Sequence, residues 1–263
     1  MADDVRAGSQ EPLVVKTFDE KAASYAAGYK GESATAHSFR IRRERAYEMA
    51  ADKRGGNVLD VGCGPGLTIN HFVDRGFEFY GVDISPEMIR QCQEAFATVP
   101  AAHFSVGRIE AMEFPEAMFD VVLSLGVVEY IEDDAAAARE MARVTKPGGS
   151  VIVSLPNRVS PYRFWDRTVY QGARRAVRAV TGRGPIGPEV HRREYVEREY
   201  CALLESHGLR VREVVYYNFK ILPFPFDRLL PSVAVSLSRA SERLARGWLR
   251  WIGTGFLVRA DKA

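Results

Sequence analysis

The chain reads as an α/β fold, a doubly wound sheet of seven mainly parallel strands, on three observations. Apolar runs of strand length alternate with helical segments from residue 57 onward. The first run, Val58-Leu59-Asp60-Val61, carries a carboxylate at its end and opens a glycine-dense turn, Gly62-Cys63-Gly64-Pro65-Gly66. The second, Tyr80-Gly81-Val82-Asp83, also ends in a carboxylate. Such alternation puts helices on both faces of a parallel sheet, whose ligands sit beyond the carboxyl ends of the strands, at the switch point beside strand one.

Taken in order, residues 14–53 mix charged and apolar positions at helical spacing, and Gly55-Gly56 breaks the pattern. Strand one is expected at Asn57–Val61, a helix from about Thr68 to Arg75, strand two at Phe77–Asp83, and a helix from Pro86 to about Ala97. Pro86 suits a first helical turn after the cap residue Ser85, because the donor it lacks would have been unpaired there. Then come strands at His103–Gly107 and Phe119–Ser124, a helix over Asp133–Val144, a stopping turn at Lys146-Pro147-Gly148-Gly149, and a strand at Ser150–Leu155. A helix at Glu194–His207, halted by Gly208, and strands at Leu209–Tyr217 and Gly255–Ala260 complete the pattern. Two intervals, 157–193 and about 220–252, are too long for simple connections. The expected organisation is an N-terminal helical lid (1–54), a cofactor-binding α/β core (55–156), a basic lid insertion (157–193), and a C-terminal part of the core (194–263) holding the second, helical insertion.

With 263 residues, 46% hydrophobic and 27% charged, the chain can bury a sizeable core and suits one elaborated α/β domain. A net charge of +2 sets up no strong overall field. Three cysteines without metal spacing argue against a disulfide framework or a zinc site, and no metal ligand is assigned. Residues 1–12 lack a secretory layout and no uncharged apolar run could span a bilayer, so a soluble, cytoplasmic protein is expected.

The chemistry centres on the glycine turn. Missing side chains at Gly62, Gly64 and Gly66 let backbone press against a ligand and permit positive φ. A dinucleotide-binding turn would carry glycine at the sixth position, which here is Leu67, and this disfavours a dehydrogenase. A carboxylate at the end of strand two can accept both hydroxyls of a ribose.

Together with Phe119-Asp120-Val121-Val122, Gly126-Val127-Val128-Glu129-Tyr130 and Lys146-Pro147-Gly148-Gly149, this constellation resembles the class I S-adenosylmethionine-dependent methyltransferases over about residues 57–155, and more loosely over 194–260. The resemblance implies a Rossmann-like methyltransferase fold with S-adenosyl-L-methionine as cofactor. By it, Asp60 orients the turn and the cofactor amino group, Gly62, Cys63 and Gly64 line the methionine part, and Asp83 holds the ribose. Ile84 and Met88 would pack on adenine, and Leu125 would approach the sulfonium. The family often has an acidic residue after the glycine of Gly107-Arg108-Ile109-Glu110. Here Arg108 stands there, so adenine recognition is assigned to Arg108, Ile109 or Glu110. Tyr25, in the N-terminal segment, could reach the methionine carboxylate, with helix packing as the alternative.

A methyl on a sulfonium is already activated, so alignment and exclusion of water dominate and a base is optional. Candidates for that base are Glu129, after strand four, and His191, where the first insertion returns to the sheet. Either could instead hold a loop or cap a helix. The expected reaction is methylation of a small, lipophilic or aromatic acceptor, oxygen first and nitrogen or carbon next. Alternatives are a methyltransferase of membrane lipids or lipid carriers, and a non-catalytic cofactor-binding regulatory module.

The insertions bear on partners. Residues 157–193 hold nine arginines against Asp166 and Glu189, a local charge of +7. A helix drawn through Arg167–Val180 would set Val169, Ala173, Ala176, Val177 and Val180 against Arg167, Arg174, Arg175 and Arg178. The second insertion sets Leu230, Val233, Leu237, Leu244, Trp248, Trp251 and Ile252 against Arg239, Arg243, Arg246 and Arg250. Two outcomes fit: stripes packed on the sheet as a lid, or basic amphipathic helices in peripheral contact with a membrane. Phe219, Ile221, Leu222, Phe224 and Phe226 would suit the wall of an apolar pocket. Nucleic acid is not expected as a partner, because the arginines belong to no recognised nucleic-acid module. Sequence leaves the oligomeric state open.

Overall fold

The computed structural model describes residues 9–25, 33–173, 176, 181–182, 190–223 and 226–263. Its centre is a seven-stranded sheet in the order β3-β2-β1-β4-β5-β7-β6. The strands are β1 (Gly56–Val61), β2 (Phe77–Asp83), β3 (Ala102–Val106), β4 (Phe119–Leu125), β5 (Thr145–Pro156), β6 (Leu209–Tyr217) and β7 (Gly255–Lys262). Pairings from β3 through β5 are parallel, whereas β7 runs antiparallel to both β5 and β6. The chain winds outward from β1 to β2 and β3 and then returns to β4, so the switch point lies between β1 and β4.

Central strands are buried on both faces: Val58, Leu59, Val121, Val122 and Leu123 have no exposed surface, as parallel strands between helical layers require. The helices around them are α1 (Glu11–Tyr25), α2 (Ala34–Met49), α3 (Ile69–Val73), α4 (Pro86–Ala95), α5 (Asp134–Val144), α6 (Pro161–Trp165), α7 (Glu197–Ser206), α8 (Phe226–Leu229) and α9 (Pro231–Ser241). Several starts are set by side-chain caps. Ser33, Ser85 and Asp133 accept from the backbone N–H groups of Ala36, Met88 and Ala136, each three residues on.

The expected architecture is present, with local corrections. The helical reading of 14–53 resolves into α1 and α2, and residues 26–32 lie outside the described residues. Lys146-Pro147-Gly148-Gly149 does not precede the fifth strand but belongs to it. Thr145 already pairs with Phe119, and the extra residues are absorbed by a register shift between Phe119 and Val121. Positive φ at Gly148 (74°) and the contact of Lys146 Nζ with Asp120 Oδ2 at 2.7 Å accompany the shift. The helix expected from Glu194 begins at Glu197, because Tyr195 N–H donates to Pro156 O, extending the chain beside β5.

The insertions depart furthest from expectation. α6 passes into a wider π-helical turn at Asp166–Tyr170, and Val169 is 45% exposed, not packed inward. Residues 174–175 and 177–180 of the drawn helix lie outside the described residues. In the second insertion the stripe is split. Ala234, Val235 and Ser238 face the protein body while Leu230, Val233 and Leu237 face out; Leu244 and Ile252 pack on the core, whereas Trp248 and Trp251 do not. Phe224 lies outside the described residues, and of the proposed pocket wall Phe219 is core while Ile221 and Phe226 are exposed.

Candidate functional site

Two neighbouring cavities open at the carboxyl end of the sheet. The first, of about 380 Å³, lies over β1, β2 and β4 and is lined by Asp60 through Pro65, by Asp83, Ile84 and Met88, by Gly107 to Glu110, and by Leu125 to Val127. The second, of about 730 Å³, is lined by Glu129, Tyr130, His191 and Arg192 together with residues of α1 and α2. Phe18, Tyr25, Phe39, Arg42, Gly126 and Tyr130 line both.

The floor of the first cavity is the glycine turn. Gly62 has φ +72°, and a Cβ there would sit 2.1 Å from Val127 Cγ2; Gly64 has φ +50° and faces the ring of Tyr25. The turn is pinned from below, since the Gly62 and Cys63 N–H groups both donate to Val82 O. Asp83 holds it from the side: Oδ2 accepts from Gly64 N and Oδ1 from Ser85 N, each at 2.9 Å. Burial raises the Asp83 carboxyl, and those two N–H groups oppose the rise. Each oxygen keeps a further lone pair.

Asp60 accepts from the Thr68 hydroxyl within the wall. Burial pushes its carboxyl up to about 7 against the opposing hydrogen bond from Thr68, with nearby Asp83 adding to the rise. At Gly66, φ is +72° and a Cβ would strike Ile69, Phe96 and Cys92; this glycine does not line the cavity and serves packing beneath it.

α1 lies across the same opening, contributing Glu11, Val14, Phe18 and Tyr25 to the lining. It is fastened at three places. Arg108 pairs with Glu11, Ser85 Oγ donates to Asp19, and Gln10 bonds Tyr130 O and both backbone groups of His191. Arg108 therefore turns toward α1, while Met88 and Ile109 are buried against the wall.

Glu129 and His191 line the second cavity and are absent from the lining of the first. Glu129 is 8% exposed, and burial raises its carboxyl while the positive charges of Arg42, Arg192 and Arg163 oppose the rise. His191 is exposed, in a segment without regular secondary structure. Arg192 lies over the Tyr130 ring, 5.3 Å from its centroid. Sequence reasoning missed Arg42, Phe39 and Thr68. Arg42 stands in a run of charges, Arg40 to Arg45, that reads as a solvated helix face. The available signal was Gly126, whose φ of +83° leaves room for the Arg42 guanidinium, 2.2 Å from where a Cβ would stand.

Residues 59–153 match the family model described as a methyltransferase domain. The chain is 38% identical over 120 residues to the 2-methyl-6-phytyl-1,4-hydroquinone methyltransferase of Synechocystis, covering 44% of this chain and 38% of that protein. It is 34% identical over 142 residues to the malonyl-acyl-carrier-protein O-methyltransferase of Erwinia billingiae, covering 53% and 55%. The chain thus spans about half the length, or less, of these relatives. Among solved structures it resembles the (4+2)-cyclase SpnF with a TM-score of 0.65 at 15% identity, over 97% of both chains, a likeness of fold alone.

Proposed function

Because residues 59–153 match a methyltransferase-domain family model, we propose that the chain is a class I S-adenosylmethionine-dependent methyltransferase that transfers a methyl group to a small lipophilic or aromatic acceptor, with oxygen the favoured acceptor atom. The observation that carries this reading is the pair of adjoining cavities at the switch point, one over the glycine turn and Asp83 and one beside it. The residues fit S-adenosylmethionine: the two bare glycines leave backbone within reach of a ligand, and Asp83 retains acceptor capacity for ribose hydroxyls. A volume of about 380 Å³ lies within the span of small-molecule sites, roughly 300–1,000 Å³.

When bound, the cofactor supplies a methyl already activated by its positive sulfur. In the proposed assignment Asp83 holds the ribose, while Gly62, Cys63 and Gly64 line the methionine part with Tyr25 above them. Ile84 and Met88 flank adenine, with Arg108, Ile109 and Glu110 at its edge, and Leu125 faces the sulfur. Asp60 keeps the turn in shape through Thr68. α1 closes over the cleft as a lid and excludes water, which strengthens every electrostatic contact inside.

The acceptor is assigned to the second cavity, whose walls combine the rings of Phe18, Phe39 and Tyr130 with Glu129 and His191. Glu129 is the better placed base, since burial raises its carboxyl toward the range where it can take a proton from a hydroxyl. The test is turnover of S-adenosylmethionine to S-adenosylhomocysteine across a panel of phenols, hydroquinones and carboxylic acids. Glu129→Gln should lower kcat about 10²–10⁴-fold on a hydroxyl acceptor while cofactor affinity is kept. Tight cofactor binding with no turnover on any acceptor would instead favour a non-catalytic module.

A further inference from the structure

Thirteen large hydrophobic side chains are exposed among the described residues, and twelve fall in three segments: 159–169, 221–237 and 248–251. These segments are tied to one another. Tyr162 Oη donates to Asp227 at 3.1 Å, Asn157 Nδ2 to Trp251 O at 2.7 Å, and Ser160 Oγ to Ile252 O at 3.2 Å. Concentration of this kind marks an interaction surface, whereas single exposed apolar residues need no explanation.

Positive charge accompanies these segments in the sequence, +7 over residues 157–193 and +4 over residues 218–252 on a chain of +2. Of the described arginines, Arg163 and Arg167 pair with Glu194, Arg193 with Asp134, Arg246 with Glu213 and Arg250 with Glu197. Leu230, just before α9, and Val233 and Leu237 on it form an outward apolar arc, and Arg239 is exposed on another side of the same helix. Arg158, Arg239 and Arg243 are exposed and have no carboxylate partner among the described residues. All three tryptophans of the chain also lie here: Trp165, Trp248 and Trp251 are 38%, 85% and 44% exposed.

We propose that this face docks on an anionic lipid bilayer, with the indoles and leucines entering the headgroup boundary and the arginines meeting lipid phosphates. Apolar contact and positive charge on one face are the two requirements of an interfacial surface, and tryptophan favours that depth. A protein partner would need apolar contact but not exposed arginines without carboxylate partners beside it. The described helices contain none long and apolar enough to cross a membrane, so docking is lateral. His191 and Arg192, at the close of the first insertion, line the second cavity, so the docked face and that cavity share a stretch of chain.

Because the chain has no tryptophan elsewhere, its intrinsic fluorescence reports the face directly. Phosphatidylcholine vesicles with and without phosphatidylglycerol are titrated into the full chain, following emission and co-sedimentation. A blue shift and sedimentation that require phosphatidylglycerol and weaken with salt are expected. Replacing Arg158, Arg239 and Arg243 together by Ala should reduce partitioning roughly a hundredfold. The pair Leu229→Asp and Leu230→Asp should abolish the shift. Calorimetry with S-adenosylhomocysteine shows that each variant is folded.

Absence of a shift with folded protein overturns the proposal, as does equal binding to neutral vesicles. A lipid-free dimer that the leucine variants break, with no vesicle binding, assigns the face to a second copy and overturns it also.

Discussion

One carboxylate at the end of β2 does two jobs. Asp83 ties the glycine turn to the start of α4 through two backbone N–H groups and still faces the cleft. Replacing it by Ala removes charge-assisted bonds on both sides, so S-adenosylhomocysteine should bind about 1–3 kcal/mol more weakly by calorimetry. Unchanged affinity would remove the ribose from this carboxylate. Asp60 and Asp83 were legible in sequence because a strand end fixes where the next side chain goes, and two such ends beside a glycine turn leave little freedom. Gly66 belongs to the same motif but turned out to serve packing, since spacing cannot say which bare position meets ligand and which meets Ile69 and Phe96. Arg42 was illegible for the opposite reason: one arginine among several on a polar helix carries no mark of the cavity it reaches.

Among the longer helices, α1 is held by few apolar contacts of its own. Only Val14 and Ala22 of its residues are buried, and its fastenings are the polar contacts of Gln10, Glu11 and Asp19 with the cleft rim. Segments held by few apolar contacts open locally at low cost. Amide exchange over residues 11–25 is therefore expected to be fast in the free protein and to slow when S-adenosylhomocysteine is added, with β5 and β7 unchanged. Asp19→Ala, which removes the acceptor of Ser85 Oγ, should leave exchange fast even with ligand. Protection indifferent to ligand would show α1 to be plain scaffold. Strand and helix identities through the core were legible because burial on both faces leaves long apolar runs. The start of β5 was not, because Lys146-Pro147-Gly148-Gly149 has turn chemistry and only the cross-strand partners Phe119 and Asp120 draw it into the sheet.

For the molecule as a whole, buried carboxyls set a pH dependence, and two of them, Asp60 and Glu242, define its window. Burial holds both Asp60 and Glu242 at about 7, and Glu242 sits beside Arg45 and His37 while accepting from Asn218 N. In the unfolded chain both titrate near 4. Between about pH 4 and 7 the folded chain therefore holds protons that the unfolded chain has released, and stability falls as pH rises across that window. Glu242→Gln removes one of these titrations, so thermal unfolding should decline less steeply over the window, by about 1–3 kcal/mol in total. A slope identical to that of the native chain would show Glu242 ionised throughout. At this scale the doubly wound order was legible from alternation, but the facing of the insertions was not. A helical wheel gives an apolar arc and cannot say whether protein covers it, and on α9 the small residues Ala234 and Ser238 took the inward side. The wall shared by the two cavities has one more consequence. Arg42, Phe39 and Tyr130 border both, so whatever fills one chamber resets the shape and field of the other. By thermodynamic reciprocity the two occupants must then sense each other equally, and the order in which they arrive and leave is governed by that partition.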